Sequence, residues 1–127
     1  NDLYGFTFDL PEGFRFMGEY DDGSGAWYAH ETDPVYVSVL SEYIPSPEGD
    51  SIAALQKYLH DEEDVTYSMI RDDYSMELIM DYGNDLDFYY VHLHNNVGTA
   101  VTVNMPWDLY EQYMDHLEEI HSCLAFG

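Results

Sequence analysis

The sequence predicts one α+β domain over residues 1–127, an antiparallel sheet of about six or more strands with helices packed on it as an α/β/α sandwich. Three observations predict it. Apolar and aromatic residues alternate with a period of two through most of the chain, the mark of half-buried strands. Turn-forming residues punctuate those stretches at short intervals. Two segments switch to a spacing of three and four, the stripe of a core-facing helix. With 46% hydrophobic and 17% aromatic residues, the chain can fill one core of the size that its 127 residues allow.

The elements follow in order. Tyr4, Phe6 and Phe8 alternate with Gly5, Thr7 and Asp9 in an opening strand, and Pro11 and Gly13 then turn the chain. Phe14 and Phe16 begin a second strand, Asp21 to Gly25 is a glycine-rich turn, and Ala26 to His30 form a third strand. Val35, Val37 and Val39 alternate in a fourth, which Pro45 and Pro47 end. Asp50 or Ser51 caps a short helix whose Ile52, Leu55 and Leu59 share one stripe.

Three turn signals set a register for Val65 to Met105. A two-residue turn at Asp72-Asp73 pairs Met69 with Met76, Tyr67 with Leu78 and Val65 with Met80. A turn at Gly83-Asn84 pairs Leu78 with Tyr89 and Met76 with Val91. A three-residue loop Asn96-Val97-Gly98, with Gly98 left-handed, pairs Leu93 with Val101, Val91 with Val103 and Tyr89 with Met105. The product is one continuous apolar face across four strands. A closing helix from Trp107 to Leu124, with Leu109, Tyr113, Leu117, Ile120 and Leu124 on its stripe, is expected to cover that face. Pro106 and Asp108 suit its start, and Asp108, Glu111, Asp115, Glu118, Glu119 and Ser122 form its outer side.

This order of elements resembles the Mog1/PsbP-like domains. The best local fit is Tyr4-Gly5-Phe6-Thr7-Phe8-Asp9-Leu10-Pro11-Glu12-Gly13-Phe14, similar to the aromatic-alternating, Pro-then-Gly openings of bacterial secreted and lipoprotein members. The resemblance implies an α/β/α sandwich used without catalysis, by accessory subunits and binding proteins. It also implies a secreted or cell-envelope location, and a start at Asn1 is consistent with a removed signal segment.

Twenty-six acidic residues against three permanent cations, Arg15, Lys57 and Arg71, give a net charge of −23. No basic stripe exists to neutralise nucleic-acid phosphates or anionic lipid, so nucleic acid is excluded as a partner. A protein partner with a basic surface fits, because the field attracts it. Adaptation to high salt would give the same composition. Cys123 stands alone, so no internal disulfide and no cysteine cluster is available for a metal. No apolar run reaches the roughly 20 residues of a membrane span. No nucleophile elbow, phosphate-binding loop or His-Glu-x-x-His motif is present, and the expectation is a protein without enzymatic activity and with no required cofactor.

In the predicted register the reverse face of the second meander gathers polar groups. Ser75, His92 and Thr102 form one row, Glu77, Tyr90 and Asn104 the next, and His94 lies one step from His92. His92 and His94, with Glu77 on a diagonal, have the spacing of ligands for a divalent metal, and the same face suits a small ligand. The same rows also suit an ordinary solvated sheet face, with Ile79 and Phe88 packed under the first helix. Acid clusters at Asp21-Asp22, Asp61 to Asp64 and Asp81 to Asp87 miss the EF-hand pattern and predict, at most, loosely bound divalent cations. Trp27, Tyr28, Tyr36 and Tyr43 offer the aromatic platforms of a carbohydrate binder.

Overall fold

The computed structural model describes the backbone of residues 6–8, 10, 13–44, 51–62, 65–94, 96–122 and 124–126, and their side chains except at 6, 7, 62, 94, 121, 122, 125 and 126. The expected strand start at Tyr4, the turn at Pro11, the alternative cap Asp50 and the thiol of Cys123 lie outside these residues. So do the imidazole of His94 and Glu63-Asp64.

Strands β1 (Phe6–Phe8), β2 (Phe14–Glu19), β3 (Gly25–His30) and β4 (Tyr36–Tyr43) fall where the alternation puts them. Helix α1 (Ile52–Glu62) follows, capped by Ser51, whose Oγ accepts the Ala54 N–H at 3.1 Å. Then come β5 (Tyr67–Asp72), β6 (Ser75–Asp81), β7 (Asp85–His94) and β8 (Val97–Pro106), helix α2 (Trp107–Ser122) and β9 (Leu124–Phe126). Seven strands form one antiparallel sheet in the order β2-β3-β4-β8-β7-β6-β5, while β1 and β9 make a separate ribbon.

The helices lie on opposite faces. On one, Ile52 and Leu55 of α1 pack with Met76, Leu78, Val91 and Leu93. On the other, Tyr113, Leu117 and Ile120 of α2 pack with Val37, Val39, Leu86, Phe88, Val101, Val103 and Met105, and Phe8 joins them. An α/β/α sandwich is therefore present.

The register departs from expectation at two of the three hairpins, one for a local reason and the other through a contact with Ile44. Between β6 and β7 the expected pairs hold: Leu78 faces Tyr89 and Met76 faces Val91. Between β5 and β6 the turn moves one residue on, because the Asp72 carboxylate accepts the Tyr74 N–H at 2.8 Å and the Ser75 hydroxyl at 2.9 Å. Asp72 then pairs with Ser75, and a register shift between Ile70 and Asp72 sets Met69 opposite Glu77 instead of Met76. Between β7 and β8 only two residues intervene, since His94 pairs with Val97. Asn96, not Gly98, takes the left-handed backbone, with φ of 63°. Gly98 lies inside β8, where a Cβ would run into the Ile44 side chain.

That second slip is odd-numbered, so it exchanges the faces of β8 relative to β7. Val91 faces Ala100, Tyr89 faces Thr102 and Phe88 faces Val103. The single apolar face expected across four strands is in fact two apolar faces. Helix α1, rather than α2, covers Met76, Leu78 and Val91, and Ile79 and Phe88 pack on the α2 side instead of under α1.

Candidate functional site

Covering a seven-stranded sheet takes more than one short helix. Six interstrand gaps of about 4.8 Å span roughly 29 Å, while a helix with its side chains is about 10 Å wide. Helix α1 has 11 residues and packs toward β5 and β6. While Ile44 covers Gly98, the half of that face built by β3, β4 and the neighbouring part of β8 is exposed among the described residues, at Trp27, Tyr36 and Leu40 in particular. Two cross-strand rows run across it. One passes Trp27, Ser38, Thr102 and Tyr89, and the other Ala29, Tyr36, Asn104 and Asp87.

Where α1 meets the open half, a cleft of about 800 Å³ forms. Its walls include Leu40, Tyr43, Tyr58, Met80, Tyr82, Tyr89 and Ala100. Several are unusually exposed for their type: Leu40 is 39% exposed, Tyr58 43%, Tyr82 56% and Tyr43 67%. Glu42 and Asp87 are the charged residues of the lining, and Arg15, Lys57 and Arg71 are absent from it.

Asp87 is the most elaborated group there. Its Oδ1 accepts the Asn104 side-chain amide at 2.7 Å, and its Oδ2 accepts the hydroxyls of Tyr89 at 3.2 Å and Tyr82 at 3.3 Å. Asn104 also reaches Asp85 Oδ2 at 3.2 Å, which fixes the amide from a second side. Burial, and then the charge of Asp87, push the Tyr89 phenol well above its ordinary pKa, so it remains a neutral donor.

A second hollow of about 500 Å³ lies on the α2 side, lined by Phe14, His30, Asp33, Tyr113, His116 and Glu119 among others. Tyr113, Asp33, His30, His116 and Glu119 are engaged with one another or with the neighbouring backbone. Tyr113 donates to Asp33 at 2.5 Å, and burial followed by that bond pushes its phenol up to about 12. His30 Nδ1 accepts the Asp33 N–H at 3.1 Å, which ties the imidazole to the β3–β4 turn.

The residues singled out from the sequence are divided between the two faces. Ser75, Glu77, Tyr90 and His92 share the α2 side, with Ser75 opposite His92 and Glu77 opposite Tyr90. Thr102 and Asn104 do not complete those rows. Thr99 and Val101 occupy those places, and Thr102 and Asn104 lie on the α1 side because of the two-residue turn. Ser75 is buried, and Arg71 holds Glu77 at 3.3 Å and Glu118 at 2.7 Å while its guanidinium lies 5.5 Å from the Tyr90 ring centre. Among the described residues no group of three or more His, Cys, Asp or Glu is arranged to hold a metal.

Of the aromatics, Trp27 and Tyr36 stand on the open face and Tyr43 lines the cleft. Tyr28 turns to the other side, against Phe8 and Phe16. Tyr58, Tyr82, Tyr89 and Asp87 escaped the sequence reading as a group. The signal that would have found them is the parity of Asp87 with Asn104, which depends on the length of one turn.

A sandwich of this kind, with an antiparallel sheet between two helical layers and a half-open face, defines a recognisable class of fold. The chain is similar to the solution structure of a cyanobacterial PsbP (CyanoP) from Synechocystis, with a TM-score of 0.65 and 12% identity over 100% of this chain and 89% of that one. The fold is therefore PsbP-like, as the opening motif and element order imply. No protein-family model and no curated protein sequence matches the chain. Among the described residues no helix is long and apolar enough to cross a membrane.

Proposed function

We propose that this chain is a non-enzymatic binding or accessory domain, exported to the cell envelope or beyond, whose α1-side cleft receives a protein partner with a basic surface. The observation that carries the reading is the cleft itself, about 800 Å³ walled by exposed Leu and Tyr, with Glu42 and Asp87 as the charged groups among its described lining residues. An exposed apolar concavity of this kind marks an interaction site, and rigid Tyr side chains give contact area at small entropic cost. The net charge of −23 favours encounter with a basic surface. The accessory role and the exported location rest on the resemblance to PsbP-like domains.

The test is panning of a random 12-residue peptide library against the protein and its Leu40→Lys variant at low salt. Enrichment of peptides that combine Lys or Arg with apolar residues, lost on the variant, supports the reading. Peptides without basic residues, or equal capture by both proteins, overturn it.

A second reading has an observation of its own. Trp27 and Tyr36 are diagonal neighbours on the open face, with Ser38, Thr102 and Asn104 beside them, a flat platform with hydrogen-bonding groups suited to sugar rings. Titration with soluble oligosaccharides tests it, and binding that survives Trp27→Ala rejects it.

A further inference from the structure

We infer that the cleft contains a cation cage, in which Tyr58, Tyr82 and Tyr89 surround the Asp87 carboxylate and receive one Lys or Arg side chain of the partner. This deepens the proposed function and rests on it. The cage begins with the carboxylate. An ionised carboxylate has about four acceptor sites. Asn104, Tyr82 and Tyr89 take three on Asp87, at 2.7, 3.3 and 3.2 Å, which holds the group in a fixed orientation and leaves a site for a further donor.

The walls are aromatic. The Tyr82 hydroxyl also lies 3.6 Å from the Met80 sulfur, so its ring folds back from the β6–β7 turn over the sheet, toward Tyr89. Tyr58 enters the same cleft from α1. Ring faces carry negative potential and attract a cation, more strongly as water is excluded. None of the 17 described lining residues is Lys, Arg or His, so among them no cation answers the charge of Asp87 and Glu42.

The chemistry favours an organic cation over a metal ion. A hard divalent ion takes six to eight oxygen ligands, whereas three acceptor sites of Asp87 are already engaged by donors and, among the described residues, no group of three or more His, Cys, Asp or Glu is arranged to hold a metal. The dimensions favour a side chain carried on a peptide. The cleft continues from Asp87 past Leu40 and Ala100 to Ile44, far beyond the volume of one ammonium group, and those residues suit an aliphatic stem and its apolar neighbours.

The experiment is a titration of protein carrying ¹³C-labelled tyrosine, at constant ionic strength, with three probes: N-acetyl-lysine methylamide, its uncharged norleucine counterpart, and tetramethylammonium. The expected result is saturable shifts of the Tyr58, Tyr82 and Tyr89 ring signals with the lysine probe and about tenfold weaker binding by the norleucine one. Tyr82→Ala and Asp87→Asn each weaken the lysine probe about tenfold, while Tyr82→Phe, which keeps the ring, weakens it less. Backbone amide spectra of each variant establish that it is folded.

Equal response to norleucine, or shifts spread over the acidic surface and unchanged by Asp87→Asn, overturns the cage. Binding of tetramethylammonium tighter than the lysine probe assigns the site to a small quaternary ammonium and overturns the partner side chain. If the cage fails while Leu40→Lys still abolishes peptide capture, the cleft reading stands without it. Loss of both refutes the proposed function as well.

Discussion

Individual acids in this chain owe their positions to backbone geometry more than to any ligand. Asp22, Asp72 and Asp81 each accept the N–H two residues on, from Ser24 at 2.9 Å, Tyr74 at 2.8 Å and Gly83 at 2.8 Å. At Asp22 the Ser24 hydroxyl and then its N–H hold the carboxyl below its usual range, and at Asp72 and Asp81 the N–H groups of Tyr74 and Gly83 do so first. Glu77 is the opposite case. Burial pushes its carboxyl up, and the Arg71 charge only partly compensates. A raised folded-state value contributes stability that is complete below the unfolded value and lost as pH rises through the folded one. Glu77→Gln is therefore expected to match the wild type in melting temperature near pH 3.5, and to exceed it by a growing margin up to pH 7. A constant difference across that range would contradict the sign. Ser41 and Thr99 make a second residue-scale prediction. Both are fully buried, and their hydroxyls meet at 2.6 Å. Thr99→Val leaves the Ser41 hydroxyl without its partner and should cost about 1–3 kcal/mol by urea unfolding. The double variant with Ser41→Ala should cost less than the sum of the two single changes.

Most elements are legible in the sequence, and the failures concentrate in turns. Alternation located β1 to β8 and the three-four stripe located both helices, because burial of one face leaves a period of two in a strand and of three to four in a helix. Leu124, expected on the α2 stripe, instead lies in β9 opposite Phe8. The β6–β7 register was legible since Gly83, with φ of 94°, marks the turn directly. At β7–β8 a glycine pointed to the wrong residue. Gly98 answers a crowding requirement from Ile44, which lies far away in sequence, and the left-handed position went to Asn96. The Asn96 side chain donates to the Ile44 carbonyl at 3.1 Å, and the Ile44 N–H donates to the Asn96 carbonyl at 2.6 Å. A tertiary contact thus chose the turn length, and turn length chose which face Thr102 and Asn104 occupy. The candidate site was illegible for that reason alone. Asn96→Gly keeps access to the left-handed backbone and loses the side-chain bond, while Asn96→Ala loses both. The alanine variant should be the less stable by about 1 kcal/mol. Equal stability would mean that the side-chain bond, not the backbone, fixes the turn.

For the whole molecule, the question is how a chain with 26 acids and three permanent cations holds together at neutral pH. Among the described residues its acids lie mainly in turns, at strand ends and on the helices, and the buried clusters on both faces of the sheet are almost entirely apolar. The cations offset little of the repulsion, since Arg71 alone is found in an ion pair among the described Lys and Arg residues and it serves two carboxylates. Self-repulsion acts over the Debye length, which shrinks from about 30 Å at 0.01 M ionic strength to about 3 Å at 1 M. Unfolding lets the charges move apart, so screening should stabilise the folded state. The melting temperature is expected to climb by several degrees between 10 mM and 0.5 M NaCl and then flatten. Sodium and potassium should act alike, and magnesium or calcium should follow the same curve when plotted against ionic strength. A steep rise that saturates at micromolar calcium would instead obey mass action at a specific site. The peptide partner proposed for the cleft separates from the general field in the same salt series. Attraction by the field fades with the Debye length, whereas a cation enclosed by Tyr58, Tyr82 and Tyr89 against Asp87 is screened much less. Binding of a basic peptide should therefore weaken with salt and level off at a residual affinity, and Asp87→Asn should remove that residue while leaving the salt-dependent part.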